Sequence, residues 1–226
     1  MSTRILIVSA TELEIKPLFQ LSPNKISTNH FKIEYSSSII IDILITGVGI
    51  PAMTYSLTKY LSKNSATFAI LVGISGSYNT NLSLGEVVNV MSERFADLGI
   101  IGGNNFMDLF DMKLANANAL PYEKGILKNY TLINNKSVNA LKNVNANTVN
   151  TIRKDVLSFI QKGSDVESME GAAFFYVCLQ EKVPFIQIRG ISNYVGEQDK
   201  TKWKIDLAVV NLYETLYSIL NDITKA

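Results

Sequence analysis

Short runs rich in Ile, Val and Leu alternate with helix-period segments from one end of the chain to the other, and this alternation limits the fold more than any other feature. The strand-like runs are 5–9, 39–46, 68–72, 86–91, 148–152 and 185–191. Such continuous apolar runs suit strands covered on both faces. Between them lie helix-like stretches at 12–20, 51–62, 155–161, 170–181 and 202–221. In the last of these Ile205, Ala208, Val209, Leu212, Leu216, Ile219 and Leu220 follow the spacing of one buried face. Pro51 sits where a first helical turn tolerates proline. The pattern predicts an α/β fold, a mixed and mainly parallel β-sheet flanked by helices in a three-layer sandwich, as one domain over 1–226. The stretch 104–150 is rich in Asn and Lys and the least periodic. It reads as long loops, an insertion or a partner-facing arm, and compositional drift explains its asparagines equally well.

Charge and rare residues then remove whole classes of function. Basic and acidic residues number 21 and 20 in 226, with no Lys/Arg block, so no nucleic-acid partner is expected. One cysteine, Cys178, allows no internal disulfide and no Cys-based metal site. One histidine, His30, would have to serve any Ser-His-Asp, Cys-His or multi-histidine metal chemistry. An enzyme built from this chain therefore works with carboxylates and amides, and no cofactor or metal is expected. Cys178 reads as a core thiol and His30 as a surface side chain. The opening MSTRILIVSA is too short for a signal-peptide core or a membrane span, so no membrane partner and a cytoplasmic location are expected.

In open α/β sheets the ligand crevice lies beyond the carboxyl ends of the strands. The segments there are 11–14, 46–49, 73–77, 152–153, 167–170 and 190–196, which hold several carboxylates. In ILIVSATELEIKPL, Glu12 and Glu14 open a helix directly after a strand. One can point into the crevice while the other caps, or both can simply favour the helix dipole. The glycine segments TGVGIPAM and LVGISGSYN match no phosphate-gripping fingerprint; they read as tight turns or as loops that let backbone N–H groups approach a ligand. In SDVESMEGAAFFYVCLQ, Glu167 and Glu170 bracket Met169 at a strand–helix junction, and Gly171-Ala172-Ala173 allows close approach. An ionised carboxylate there can accept two sugar hydroxyls, or it can cap. In PFIQIRGISNYVGEQDKTKW, Asn193 offers two donors and an acceptor at the crevice or makes an Asx turn. Trp203 packs over a planar ring or anchors the core.

Together, ILIVSATELEIKPL, LVGISGSYNTNLSLGEVV, DVESMEGAAFFYVC and RGISNYVGEQDKTKW resemble the nucleoside phosphorylase/nucleosidase superfamily over nearly the whole chain. DVESMEGA is specific to the superfamily, and the ISNYVG…D…W ending favours its futalosine hydrolase branch. The resemblance implies hydrolysis of an N-glycosidic bond in menaquinone biosynthesis, futalosine giving hypoxanthine and dehypoxanthine futalosine. It implies Glu14 as the acid that activates water, Glu170 as the acceptor of the ribose hydroxyls and Met169 against the sugar. Glu167, Ile74, Ser75, Gly76 and Ile152 are the remaining substrate-binding expectations. Asn193 stands where methylthioadenosine/S-adenosylhomocysteine nucleosidases carry an aspartate in an ISD motif. Its amide can donate to the ring nitrogen and oxo group of a 6-oxopurine but cannot serve as a strong acid. Hypoxanthine then leaves as a hydrogen-bonded anion, or is protonated by water or by Asp199.

Phosphorolysis is disfavoured, because none of Arg4, Arg94, Arg153 and Arg189 falls in 11–14 or 73–77 and Lys16 turns away along its helix. The other readings are a methylthioadenosine/S-adenosylhomocysteine nucleosidase or another purine nucleosidase, a purine nucleoside phosphorylase, and a nucleoside-binding protein without catalysis. Relatives imply a homodimer or higher homo-oligomer. Phe106, Met107, Leu109 and Phe110 form either an interface patch or a local mini-core.

Overall fold

In β1 (Thr3–Ser9), Leu6 and Val8 face one side of a sheet while Ile5 and Ile7 face the other, and all four are buried. The same two-sided burial recurs in β4 (Ile39–Ile45), β5 (Phe68–Ser77) and β12 (Phe185–Tyr194), which is why their sequences read as unbroken apolar runs. One face meets α2 (Ile50–Leu61) and α4 (Gly171–Gln180), with Met53, Leu57, Phe174 and Phe175 fully buried. The other meets α5 (Ile205–Lys225) through Leu212, Leu216, Ile219 and Leu220. Each such side chain contributes roughly 1.5–3 kcal/mol on burial.

The computed structural model describes residues 3–102, 105–152 and 161–225. Its remaining strands are β2 (Asn24–Ser27), β3 (His30–Glu34), β6 (Val87–Phe95), β7 (Gly99–Gly102), β8 (Asn105–Asp108), β9 (Leu127–Lys128), β10 (Lys142–Thr148) and β11 (Val166–Ser168). Among the described residues, short helices α1 (Glu12–Ile15) and α3 (Lys136–Asn139) and 3-10 turns at Lys16–Leu21 and Lys200–Lys202 add to these. Among the described residues ten strands form one sheet, ordered β11-β10-β6-β12-β5-β1-β4-β3-β2, with β9 on β6. The mixed sheet flanked by helices is the expected one. Periodicity did not show that β11 also pairs antiparallel with β5, so that β5, β12, β6, β10 and β11 close into a ring.

Four expectations change. Pro17 has no N–H for an α-ladder, so the helix expected over 12–20 ends at Ile15 and continues as a 3-10 turn. The strand expected over 148–152 lies earlier, at β10, inside the Asn-rich stretch. Three of its asparagines are not loop residues: Asn143, Asn145 and Asn147 of β10 accept from Asn89 Nδ2 (2.9 Å), Ser92 Oγ (2.7 Å) and Arg94 Nε (2.8 Å) across β6, while Asn116 and Asn118 lie in the loop-like part as expected. His30 is not a surface side chain. Its Nε2 lies 2.6 Å from Oδ1 of buried Asp42, whose Oδ2 is 3.3 Å from Arg4 Nη1. The helix expected over 155–161 lies outside the described residues, save Gln161. Cys178 is buried in the core as expected, and burial pushes its thiol well up. Phe110 stacks edge-on to Tyr122 at 5.1 Å, a local mini-core, whereas Met107 is exposed.

Candidate active site

The carboxyl ends of β1, β5, β11 and β12 surround a cavity of about 250 Å³. Glu14, Ile74, Ser75, Gly76, Ile152, Glu167, Met169, Glu170, Asn193 and Trp203 all line it, from segments spread over most of the chain. The 73–77 and 190–194 segments lie inside β5 and β12 rather than past them, because both strands run to the cavity wall.

Glu14 occupies the third position of α1. Its Oε2 accepts from Thr11 N (3.0 Å), Thr11 Oγ1 (2.9 Å) and Ser9 Oγ (3.2 Å), and its Oε1 accepts from Ile74 N (3.0 Å). The capping and cavity-facing readings therefore meet in one residue, while Glu12 is exposed. Glu170 sits at the N-cap of α4, and its Oε1 accepts from Gly49 N at 2.9 Å. Gly49 adopts φ +93° at the N-cap of α2, so the TGVG turn is also a binding loop for this acid. Burial pushes the Glu170 carboxyl up; Arg189 and the Gly49 bond oppose this, and the nearby Glu14 charge adds to it.

Arg189, from the middle of β12, was not anticipated here. Its side chain is fully buried, Nη1 donates to Ile74 O (3.3 Å) and lies 4.0 Å from Glu170 Oε2, while Nε and Nη2 have no hydrogen-bond partner among the described residues. A Cβ on Gly73 would collide with Nη1 and lie 2.8 Å from Glu14 Oε1, so the guanidinium and that carboxylate share the space glycine leaves. An arginine does reach the 73–77 segment after all, through the fold rather than through sequence. It is hemmed in by acids and does not line the cavity.

Beneath it lies a second unforeseen residue, an acid. Glu93 accepts from Gln187 Nε2 (2.8 Å) and Thr148 Oγ1 (3.0 Å), and burial pushes it up to about 7 against the help of Gln187, Arg189 and Thr148. Gly171 makes room for it, since a Cβ there would collide with Glu93 Oε1. The visible signal for Arg189 was a charged side chain inside an otherwise apolar run, which only a buried polar network tolerates; Glu93, between Ser92 and Arg94, gave no such signal.

At the other end, a β-bulge between Ile191 and Asn193 turns the Asn193 amide toward Gly76. Ser192 Oγ lies 2.8 Å from Asn193 Oδ1, and Nδ2 donates to Tyr194 O (3.1 Å), leaving one amide N–H. Glu167 Oε2 accepts from Tyr78 OH, a partner the sequence did not suggest. Trp203 Nε1 is tied to Glu197 O (3.1 Å), which holds its ring at the rim.

Asp199 is a correction. It is exposed and does not line the cavity; its Oδ1 caps the 3-10 turn, accepting from Thr201 N (3.0 Å) and Thr201 Oγ1 (2.6 Å). Those bonds hold its carboxyl below the usual range, the reverse of what an acid catalyst needs.

The fold is that of the phosphorylase/nucleosidase proteins, and residues 142–221 match the family model described as Phosphorylase superfamily. The resemblance drawn from the four motifs is met. Among named relatives, the chain is 29% identical over 181 residues to the futalosine hydrolase of Thermus thermophilus, covering 78% of this chain and 80% of that protein. It is 22% identical over 235 residues to the 5′-methylthioadenosine/S-adenosylhomocysteine nucleosidase of Colwellia psychrerythraea, covering 96% and 95%. The structure of futalosine hydrolase of Helicobacter pylori superposes with a TM-score of 0.78 at 17% identity over 98% of both chains. That of the Neisseria meningitidis 5′-methylthioadenosine/S-adenosylhomocysteine nucleosidase bound to methylthio-immucillin-A reaches 0.80 at 16% identity, covering 96% of this chain and 98% of that one.

Proposed function

We propose that this protein hydrolyses the N-glycosidic bond of purine nucleosides and that futalosine is its preferred substrate. The convergence of Glu14, Glu170 and Asn193 on one cavity carries the reading. The sugar lies against Met169 with its hydroxyls donating to Glu170, which steadies a ring flattening toward an oxocarbenium ion. Glu14 takes a proton from the water that attacks the anomeric carbon, and Arg189 Nη1 lies close to Glu170 and beside the space bordered by Glu14. The remaining Asn193 N–H donates to the 6-oxopurine edge.

Water rather than phosphate fits this site. Among the described residues no Lys or Arg lines the cavity, and Arg189 is neutralised by its acidic neighbours. A second reading, methylthioadenosine/S-adenosylhomocysteine hydrolysis, is favoured by the same absence of a lining cation and by the apolar rim side chains Leu13, Val48 and Ile152, which suit a thioether better than a benzoate. Purified protein incubated with futalosine or methylthioadenosine, without phosphate, decides between them. Faster hypoxanthine release supports the first reading; faster adenine release supports the second, and a strict phosphate requirement overturns both. The protein acts as a homo-oligomer in this reading, and a monomer by light scattering at active concentration overturns that part.

A further inference from the structure

We propose that Glu167 is the acid that protonates the departing purine, with Tyr78 as its positioning residue. The inference rests on the hydrolase reading and supplies the proton source that Asp199 does not. Gly76 pairs in register with Glu167 of β11 on one side and with Asn193 of β12 on the other. A Cβ at Gly76 would stand 3.3 Å from Asn193 Nδ2 and 3.6 Å from Glu167 Cγ. The bare backbone of Gly76 is thus a floor between an amide and a carboxyl, and a flat ring resting on it has one of these groups at either edge. Glu167 is the one carboxyl at this end among the lining residues, since Glu14 and Glu170 are tied to Ile74 N and Gly49 N. Asn193 orients the ring but has no proton to give up.

The two Glu167 oxygens differ. Oε2 accepts from Tyr78 OH, whereas Oε1 makes no hydrogen bond to the described residues, so the proton belongs on Oε1. Burial pushes this carboxyl up and the Asp97 charge adds to it; the Tyr78 bond alone opposes. The Arg94 charge, from β6, acts on Tyr78 as well. In the step itself, the bond from the anomeric carbon to the purine breaks and its electron pair goes to the base. The Glu167 proton passes to the ring nitrogen facing it, water oxygen bonds the anomeric carbon, and the water proton goes to Glu14. Exchange with solvent after product release restores both acids.

The test is the pH dependence of purine release from futalosine, inosine and methylthioadenosine by the wild type, Glu167→Gln and Tyr78→Phe, with thermal melts to confirm folding. An acid catalyst makes the wild-type rate fall as pH rises through its pKa. Glu167→Gln is expected to be slower by about 10²–10³-fold and to lose that falling limb. Tyr78→Phe removes a bond that favours the ionised form, so its limb moves to higher pH. A Glu167→Gln variant as fast as wild type, or slow but with the falling limb intact, overturns the assignment alone. So does an unmoved limb in Tyr78→Phe. A wild type that releases no purine from any of the three overturns the hydrolase reading and this assignment with it.

Discussion

The two ends of the cavity are made of different material. Around Glu14 and Glu170 each acid is held by backbone N–H groups, of Thr11 and Ile74 on Glu14 and of Gly49 on Glu170, joined on Glu14 by the Ser9 and Thr11 hydroxyls, over a buried guanidinium. Over Gly76, side chains hold side chains: Ser192 aligns Asn193, and Tyr78 aligns Glu167. Backbone donors persist when side chains change, so the first end suits chemistry common to a whole class of substrates. The second can be re-lettered residue by residue, and the proposed function places substrate choice there.

Substitutions at each end test this division. Glu14→Gln is expected to cost the most, about 10²–10⁴-fold in kcat with ligand affinity retained, read by steady-state kinetics and calorimetry. Near-normal turnover would remove Glu14 from water activation. Asn193→Ala should lose about 10²–10³-fold on 6-oxopurine nucleosides; an equal rate would move base recognition elsewhere. Gly76→Ala places a methyl 3.1 Å from Val195 Cγ2 and on the ring floor, so kcat/KM should fall about 10–200-fold. A loss in kcat with KM unchanged would mean the floor does not touch the base.

The last effect is on stability rather than on turnover. Glu93 sits under the first end with its carboxyl up at about 7, against an ordinary 4.5. The folded state then binds the proton more tightly than the unfolded one, so stability present below about pH 4.5 is lost as pH rises through 7, by ~3 kcal/mol in all. Glu93→Gln should flatten the melting temperature between pH 5 and pH 8. A wild type already flat over that range would show that Glu93 is ionised throughout.

What could be read beforehand follows from burial. β1, β4, β5 and β12 are covered on both faces, so their apolar runs announce them; α5 shows its one buried stripe. β10 is hidden because asparagines bonded across β6 look like loop residues in a one-dimensional pattern. At the site, Glu14, Glu170, Gly76 and Asn193 were legible from strand ends and motif likeness. Arg189 and Glu93 were not, since their meaning lies in each other and in the acids above. Asp199 misled because a carboxylate near a motif looks the same whether it faces a cavity or caps a turn.

Ring closure has a practical meaning for altering this protein. Along the cavity wall β5 is laced to β12 and β11 at once, so neither ladder can slide without breaking the other. An engineer wanting a longer or differently charged tail on the substrate has little to gain from the wall. The workable positions are Leu13, Val48 and Ile152, whose side chains already stand more than half in solvent at its mouth.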